Sequence, residues 1–330
     1  MAASCGQGDV MSERETPVDR HRRIAAAAQE FGHVLSRRRL RELGVNRDQE
    51  AAQVAAGRWA MVGKQTLSMH TGPLDDVAQR WRAVWETGHL ITQVDGVSAL
   101  QAAGLKGWTE DVVHVSVLHR HNVKPVGGVH THKVIRRVSD ERIDSGLPRT
   151  RPAHAAIRAA HWAKSNRAAA TILAMSVQQR LVTGPQLVSA LAVVRGRNRR
   201  AFIRQAVMDI ADGAQALGEL DFAAACRKRG LPVPSRQVLR RVPGGRVYLD
   251  VYFEEYGLVV EIDGAGHEWG MSPHEDNLRE NQVVIDGDRV IRINVMGMRV
   301  EEDVVMDQVV AALGSEWAQA NLARHRAART

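Results

Sequence analysis

The spacing of apolar and polar positions changes several times along the chain, and each change predicts an element. From Arg20 to Phe31 the segment has the Ala density of a helix, which Gly32 would end. Ser36 is placed to cap a second helix, RRRLREL, that closes at Gly44. Asn46, with Gln49 three residues on, forms a capping-box pattern and opens a third helix, NRDQEAAQVAAG, that stops near Gly57. RWAMVGKQTLSMH follows as a short hairpin turning around Gly63 and Lys64. Three short helices and a basic hairpin predict a winged helix-turn-helix. In that geometry the third helix presents Arg47, Gln49, Glu50 and Gln53 to the major groove, and Arg58, Lys64 and Gln65 of the wing reach the backbone. The plainer reading is a small helical bundle whose Arg37, Arg38, Arg39 and Arg41 are solvated.

Residues 75 to 108 read as helical, with Trp81, Trp85 and Leu90 spaced for one buried face. Two alternating strands are predicted at 112–118 and 127–135. His130 and His132 share a strand face but have no acidic or Cys partner at ligand spacing, so solvated strand histidines outweigh a metal site. Residues 151 to 210 form Ala-rich helices with basic outer faces that include Arg195, Arg197, Arg199 and Arg200.

The stretch with chemistry is RVYLDVYFEEYGLVVEIDGAGHEW, residues 246 to 269. Leu249, Val251 and Phe253 alternate with Asp250 and Tyr252, and Leu258, Val260 and Ile262 alternate with Glu261 and Asp263. A symmetric turn over Glu254 to Gly257 places Asp250 opposite Glu261 on the face away from the core. Carboxylates so placed lie about 5 Å apart at Cβ and repel unless a cation lies between them. With Asp263 on the same face they would suit a hard divalent ion such as Mg²⁺ or Mn²⁺, with His267 as acid, base or further ligand. A solvated acidic face is the alternative. A helix with Glu219 near its start precedes the hairpin. A capping box at Ser272, Pro273 and Glu275, the strand RVIRINV and a helix at about 300–313 follow it. The resulting order α, β, β, β, α, β, α is that of a restriction-endonuclease-like core.

Composition sharpens this picture. The 330 residues carry a net charge of +8 and only 4% aromatics. By region the net charge is +5 over 19–70, +1 over 71–150, +12 over 151–245 and −10 over 246–313. A basic body beside an acidic unit suggests a polyanion-binding surface and a separate carboxylate site. No signal-like h-region or run of about 20 apolar residues occurs, and Cys5 and Cys226 make no disulfide framework, so no membrane association and a cytoplasmic location are expected. The scarcity of aromatics argues against an RNA enzyme built on single-strand stacking. The expected domains are a disordered leader at 1–18, with Met11 as an alternative start, and a winged helix-turn-helix at 19–72. An α+β middle domain at 73–150, a helical layer at 151–212, an α/β restriction-endonuclease-like domain at 213–313 and a basic tail at 314–330 complete the chain.

On Glu219 before GLPVP, LDVYF, VVEIDGAGH, DNLRE and GDRVIRI, residues 213–313 resemble the Vsr-like (very-short-patch-repair endonuclease-like) domain family of the PD-(D/E)xK nuclease superfamily. The segment from Ile24 to Val62 is similar to the winged-helix domain of AbiEi-type antitoxins of type IV toxin–antitoxin systems. The first resemblance implies metal-dependent cleavage of double-stranded DNA, with Asp250, Glu261 and Asp263 as metal ligands and His267 as acid/base. Glu219 would support the ligands, and Arg279 and Arg292 would contact phosphate. The superfamily Lys two residues after the Glu is Asp263 here, a Lys that the Vsr-like branch also lacks. The second resemblance implies a transcriptional regulator whose nuclease-like fold serves dimerisation or a partner, with a homodimer and a cognate toxin as its partners.

Overall fold

A computed structural model describes residues 16–211, 215–242, 245–263 and 288–327. The architecture is mixed α/β, and its contacts divide into two compact units. The first comprises residues up to 94, 110–137 and 143–149, and the second 95–109, 138–142 and 150 onward.

In the first unit, α1 (Pro17–Gln29) is capped by the Thr16 hydroxyl, which accepts from the Asp19 N–H. Gly32 then turns the chain at φ +68°, a left-handed conformation that a side chain would strain. There follow β1 (Val34–Ser36), α2 (Arg37–Glu42), α3 (Arg47–Ala55), β2 (Ala60–Met61) and β3 (Thr66–Ser68), the strands forming an antiparallel sheet ordered β1-β3-β2. Both caps read from the sequence in this unit are present. Ser36 Oγ accepts from the Arg39 N–H, and Asn46 and Gln49 form the reciprocal capping box. Ile24, Phe31, Leu35, Leu40, Val45, Trp59 and Leu67 build the core. Against it packs α4 (Asp76–Thr87), whose Trp81 meets the Phe31 ring edge-on at 4.8 Å.

The helix expected over 75–108 is divided. It stops at Gly88 (φ +105°), and β4 (Gln93–Val94) and α5 (Gly96–Ala102) follow. Leu90 therefore lies beyond α4 and is 75% exposed, while Trp81 and Trp85 do pack on the core. The two alternating runs are β5 (Val113–Leu118) and β6 (Val129–Val134), paired in parallel. With β7 (Arg142–Ile143) and β8 (Arg149–Thr150) they give a five-stranded sheet ordered β6-β5-β4-β8-β7.

The second unit holds α6 (Pro152–Trp162), α7 (Asn166–Gln178), α8 (Gly184–Val193), α9 (Arg200–Ala211) and α10 (Gln215–Lys228). Alanines at 155, 156, 159 and 160 let α6 pack closely, and Arg158 lies buried among them. Its guanidinium is held by Asp95 at 2.8 Å and Glu141 at 2.5 Å. Burial works against its charge, but these two carboxylates outweigh it and raise the Arg158 pKa. Arg195, Arg197 and Arg200 are exposed, as the expected basic outer faces require.

Beyond α10 lies a four-stranded sheet ordered β12-β11-β10-β9, built from β9 (Ser235–Val242), β10 (Gly245–Phe253), β11 (Leu258–Asp263) and β12 (Arg289–Asn294). The pairs β9–β10 and β10–β11 are antiparallel, and β11–β12 is parallel. Val251, Phe253, Leu258, Val260, Ile262 and Ile293 form one apolar face that packs with Phe222 and Cys226 of α10 and Met306, Val309 and Leu313 of α12 (Glu302–Leu313). Burying Phe222 completely contributes about 1.5–3 kcal/mol. The short α11 (Val295–Val300) precedes α12. Residues in the basic tail form a further helix, α13 (Glu316–Ala327), with Ala318 and Leu322 buried.

Candidate functional site

Two places gather the residues that sequence reasoning singled out. The first is a groove in the first unit lined by Arg37, Arg41, Asn46, Arg47, Glu50, Lys64 and Gln65. Arg37 is paired with Glu50 at 2.7 Å. Arg41, Arg47 and Lys64 have no ion pair among the described residues. Three cations on one groove repel one another, and a polyanion relieves that repulsion.

The hairpin tip beside this groove is held from α4. The Glu86 carboxylate accepts from the backbone N–H groups of Lys64 (2.9 Å) and Gln65 (2.7 Å) and from the Thr66 hydroxyl (2.8 Å). Arg82 donates to the Val62 carbonyl at 2.6 Å and to the Gly127 carbonyl at 3.0 Å. Gly63 lies so close to Glu86 that any Cβ there would displace the carboxylate. Sequence reasoning missed Glu86 and Arg82 because their partners stand about twenty residues away or more and are mostly backbone atoms, which no side-chain pattern announces.

Of the predicted base readers, Arg47 is exposed at the start of α3. Gln49 is engaged otherwise, since its side chain accepts from the Asn46 N–H at 3.0 Å. Gln53 accepts from the Nε of Arg58 at 2.6 Å, so those two residues hold each other.

The second place is the sheet face opposite the apolar core of the C-terminal unit. Pairing of Val251 with Val260, Tyr252 with Val259 and Phe253 with Leu258 is the register that the symmetric turn predicted. The turn is a 3₁₀ segment over Glu254–Tyr256 closed by Gly257 at φ +61°, where a Cβ would crowd Trp317 and Asn321. One position further on, the Asp250 carboxylate turns to β11 and accepts from the Ile262 N–H at 3.0 Å. Glu261 pairs in parallel register with Arg292, whose Nε lies 3.4 Å from its Oε2. Arg292, expected to contact phosphate, is thus the carboxylate's companion. Nothing in the sequence reveals this, because the parallel register of β11 and β12 is set by tertiary packing.

Asp263 closes β11, its backbone aligned with Asn294, and Glu219 falls on α10 as expected. His267, Arg279 and the capping box at Ser272, Pro273 and Glu275 lie outside the described residues. Among the described residues no group of three His, Cys, Asp or Glu is arranged to hold a metal ion. The Cys226 thiol, buried in the core, is pushed up to about 11 by that burial.

The strand histidines turn their nitrogens on one another. His114 Nδ1 and His132 Nε2 are 2.8 Å apart, and the rings of His114, His130 and His132 stack with interplanar angles of 13–18°. Burial, then the neighbouring His114 and His130, push His132 down to about 3.

No family model matches the chain, and no curated protein matches it. Among solved structures, the RV2827C protein from Mycobacterium tuberculosis is similar over 61% of this chain and 78% of its own, at 16% identity and a TM-score of 0.38. A likeness that remote carries no inference about fold or function. Among the described residues no helix is long and apolar enough to cross a membrane.

Proposed function

We propose that this protein binds double-stranded DNA through an N-terminal winged helix-turn-helix and hydrolyses a phosphodiester bond at a Mg²⁺- or Mn²⁺-dependent site on its C-terminal, restriction-endonuclease-like sheet. The order α1-β1-α2-α3-β2-β3, with its three-stranded sheet and basic groove, supports the first half. The observation that carries the second is the β10–β11 register, which sets Asp250 and Glu261 on one face of adjacent strands, away from the apolar core.

Asp250 and Glu261 offer the oxygen ligands that a hard cation takes, and Asp263 follows on β11. Bound there, the metal would supply Lewis acidity and an activated water. The chain's own residues do the rest. Ile262 N–H fixes the orientation of Asp250, Glu219 supports the ligands, and His267 is the acid/base. Arg292 brings a cation beside Glu261 where the superfamily Lys is missing, and Arg279 contacts phosphate. The test is nicking of supercoiled plasmid in Mg²⁺, Mn²⁺ or EDTA. Metal-dependent cutting that Asp250→Ala and Glu261→Ala abolish supports the reading, and gel-shifted but uncut DNA defeats it.

A second reading is an antitoxin-type regulator, dimeric or paired with a toxin, with an inactive nuclease-like domain. It is favoured by the fact that both carboxylates already have protein partners, Ile262 N–H and Arg292. It expects operator-specific binding and no scission with any metal.

A further inference from the structure

The groove of the first unit says how DNA would be held, not only that it would be. On the winged-helix reading, α3 enters the major groove, where sequence is read by Arg or Lys on guanine and by Gln or Asn on adenine. The exposed positions of α3 are Arg47, Asp48, Ala51, Ala52 and Ala55. Alanine offers a base only contact with a thymine methyl, and Asp48 only an acceptor for cytosine. The two glutamines that would read adenine are committed to Asn46 and Arg58. The uncompensated charge sits instead at Arg41, on α2, at Arg47, at the first turn of α3, and at Lys64, on a hairpin tip that Glu86 fixes in place. Arg41 and Lys64 lie off α3, on the flanks that meet phosphates. Arg47 is the single cation of α3, at an N-terminal turn that borders phosphates as well as base edges. Phosphate contacts position a protein without reading sequence.

We infer that the N-terminal unit is a sequence-tolerant clamp for the backbone of B-form duplex DNA, with Arg41, Arg47 and Lys64 as its phosphate contacts. This inference rests on the DNA-binding reading above and departs from an operator-reading role. The deep, narrow major groove of A-form RNA would exclude α3, which makes duplex DNA the partner.

The test is fluorescence anisotropy of the full chain in EDTA, where no cutting occurs, against unrelated 30-base-pair duplexes of matched composition, together with selection from a randomised duplex pool. Affinities should agree within about threefold across sequences, and the pool should yield no motif. Arg41→Ala, Arg47→Ala and Lys64→Ala should each weaken every duplex alike, by roughly 3–10-fold, and lower the slope of log affinity against log salt by about 1. Circular dichroism confirms that each variant is folded. Enrichment of a defined motif, variants that bind like wild type, or equal competition by duplex RNA each overturns the clamp while leaving nucleic-acid binding intact. Absence of any binding overturns the DNA-binding reading itself.

Discussion

The basic groove and the carboxylate face treat their charges in opposite ways. In the groove, one arginine is neutralised by Glu50 while Arg41, Arg47 and Lys64 have no ion pair among the described residues, beside a hairpin hydrogen-bonded to Glu86 of α4. On the sheet, the two carboxylates have partners from neighbouring strands, Asp250 from a backbone N–H and Glu261 from Arg292. Solvated, uncompensated cations gain most from an incoming polyanion, whereas partnered carboxylates must exchange one interaction for another. On the proposed reading, DNA binding would need little reorganisation, and a cation on the sheet would compete with Arg292 for Glu261.

The variants that would break this comparison most forcefully are Asp250→Ala and Glu261→Ala, which should reduce plasmid nicking to the EDTA level. Next in size is a change that touches neither place. Arg158→Met should leave the buried carboxylates of Asp95 and Glu141 without their guanidinium and cost about 3–5 kcal/mol in denaturant unfolding of the second unit. Nicking by the folded fraction should persist.

Glu86→Ala removes the acceptor of three hydrogen bonds and should cost about 1–3 kcal/mol, with weaker DNA binding as the hairpin loosens. If affinity is unchanged, the fixed hairpin is not part of the interface. Because folding lowers the His132 pKa from 6.5 to about 3, the unfolded chain binds the extra proton between those values. Stability is thus complete above pH 6.5 and falls as the pH drops toward 3, by up to about 1.4 kcal/mol per pH unit. His132→Gln should flatten that slope relative to wild type in pH-dependent melts. The smallest effect sharpens the comparison at the sheet. Mg²⁺ should raise the melting temperature of wild type modestly and that of Arg292→Ala more, because the competing cation is gone.

Local signals in the sequence were the ones the fold keeps. The caps at Ser36 and Asn46 depend on residues within one helical turn, and the hairpin register depends on the four residues from Glu254 to Gly257, so both were legible. Leu90 was misread because a helical period was carried past Gly88, whose φ of +105° ends α4. What escaped was long-range. The burial of Arg158 against Asp95 and Glu141, the Glu86 hold on the hairpin and the Arg292–Glu261 pair each join residues from separate elements. The basic tail hid another such case. Its Trp317 and Asn321, four residues apart on α13, pack over Gly257 at the turn that sets the carboxylate register.

The most direct test of the two-region account is single-turnover cutting of plasmid in Mg²⁺ as protein concentration is raised, for wild type, an Arg41→Ala/Lys64→Ala variant and Glu261→Ala. The account predicts that the groove variant needs more protein to reach the wild-type maximal rate, and that Glu261→Ala binds as wild type yet never cuts. A wild-type protein that saturates DNA without cutting it, or a Glu261→Ala protein that cuts at full rate, would contradict it.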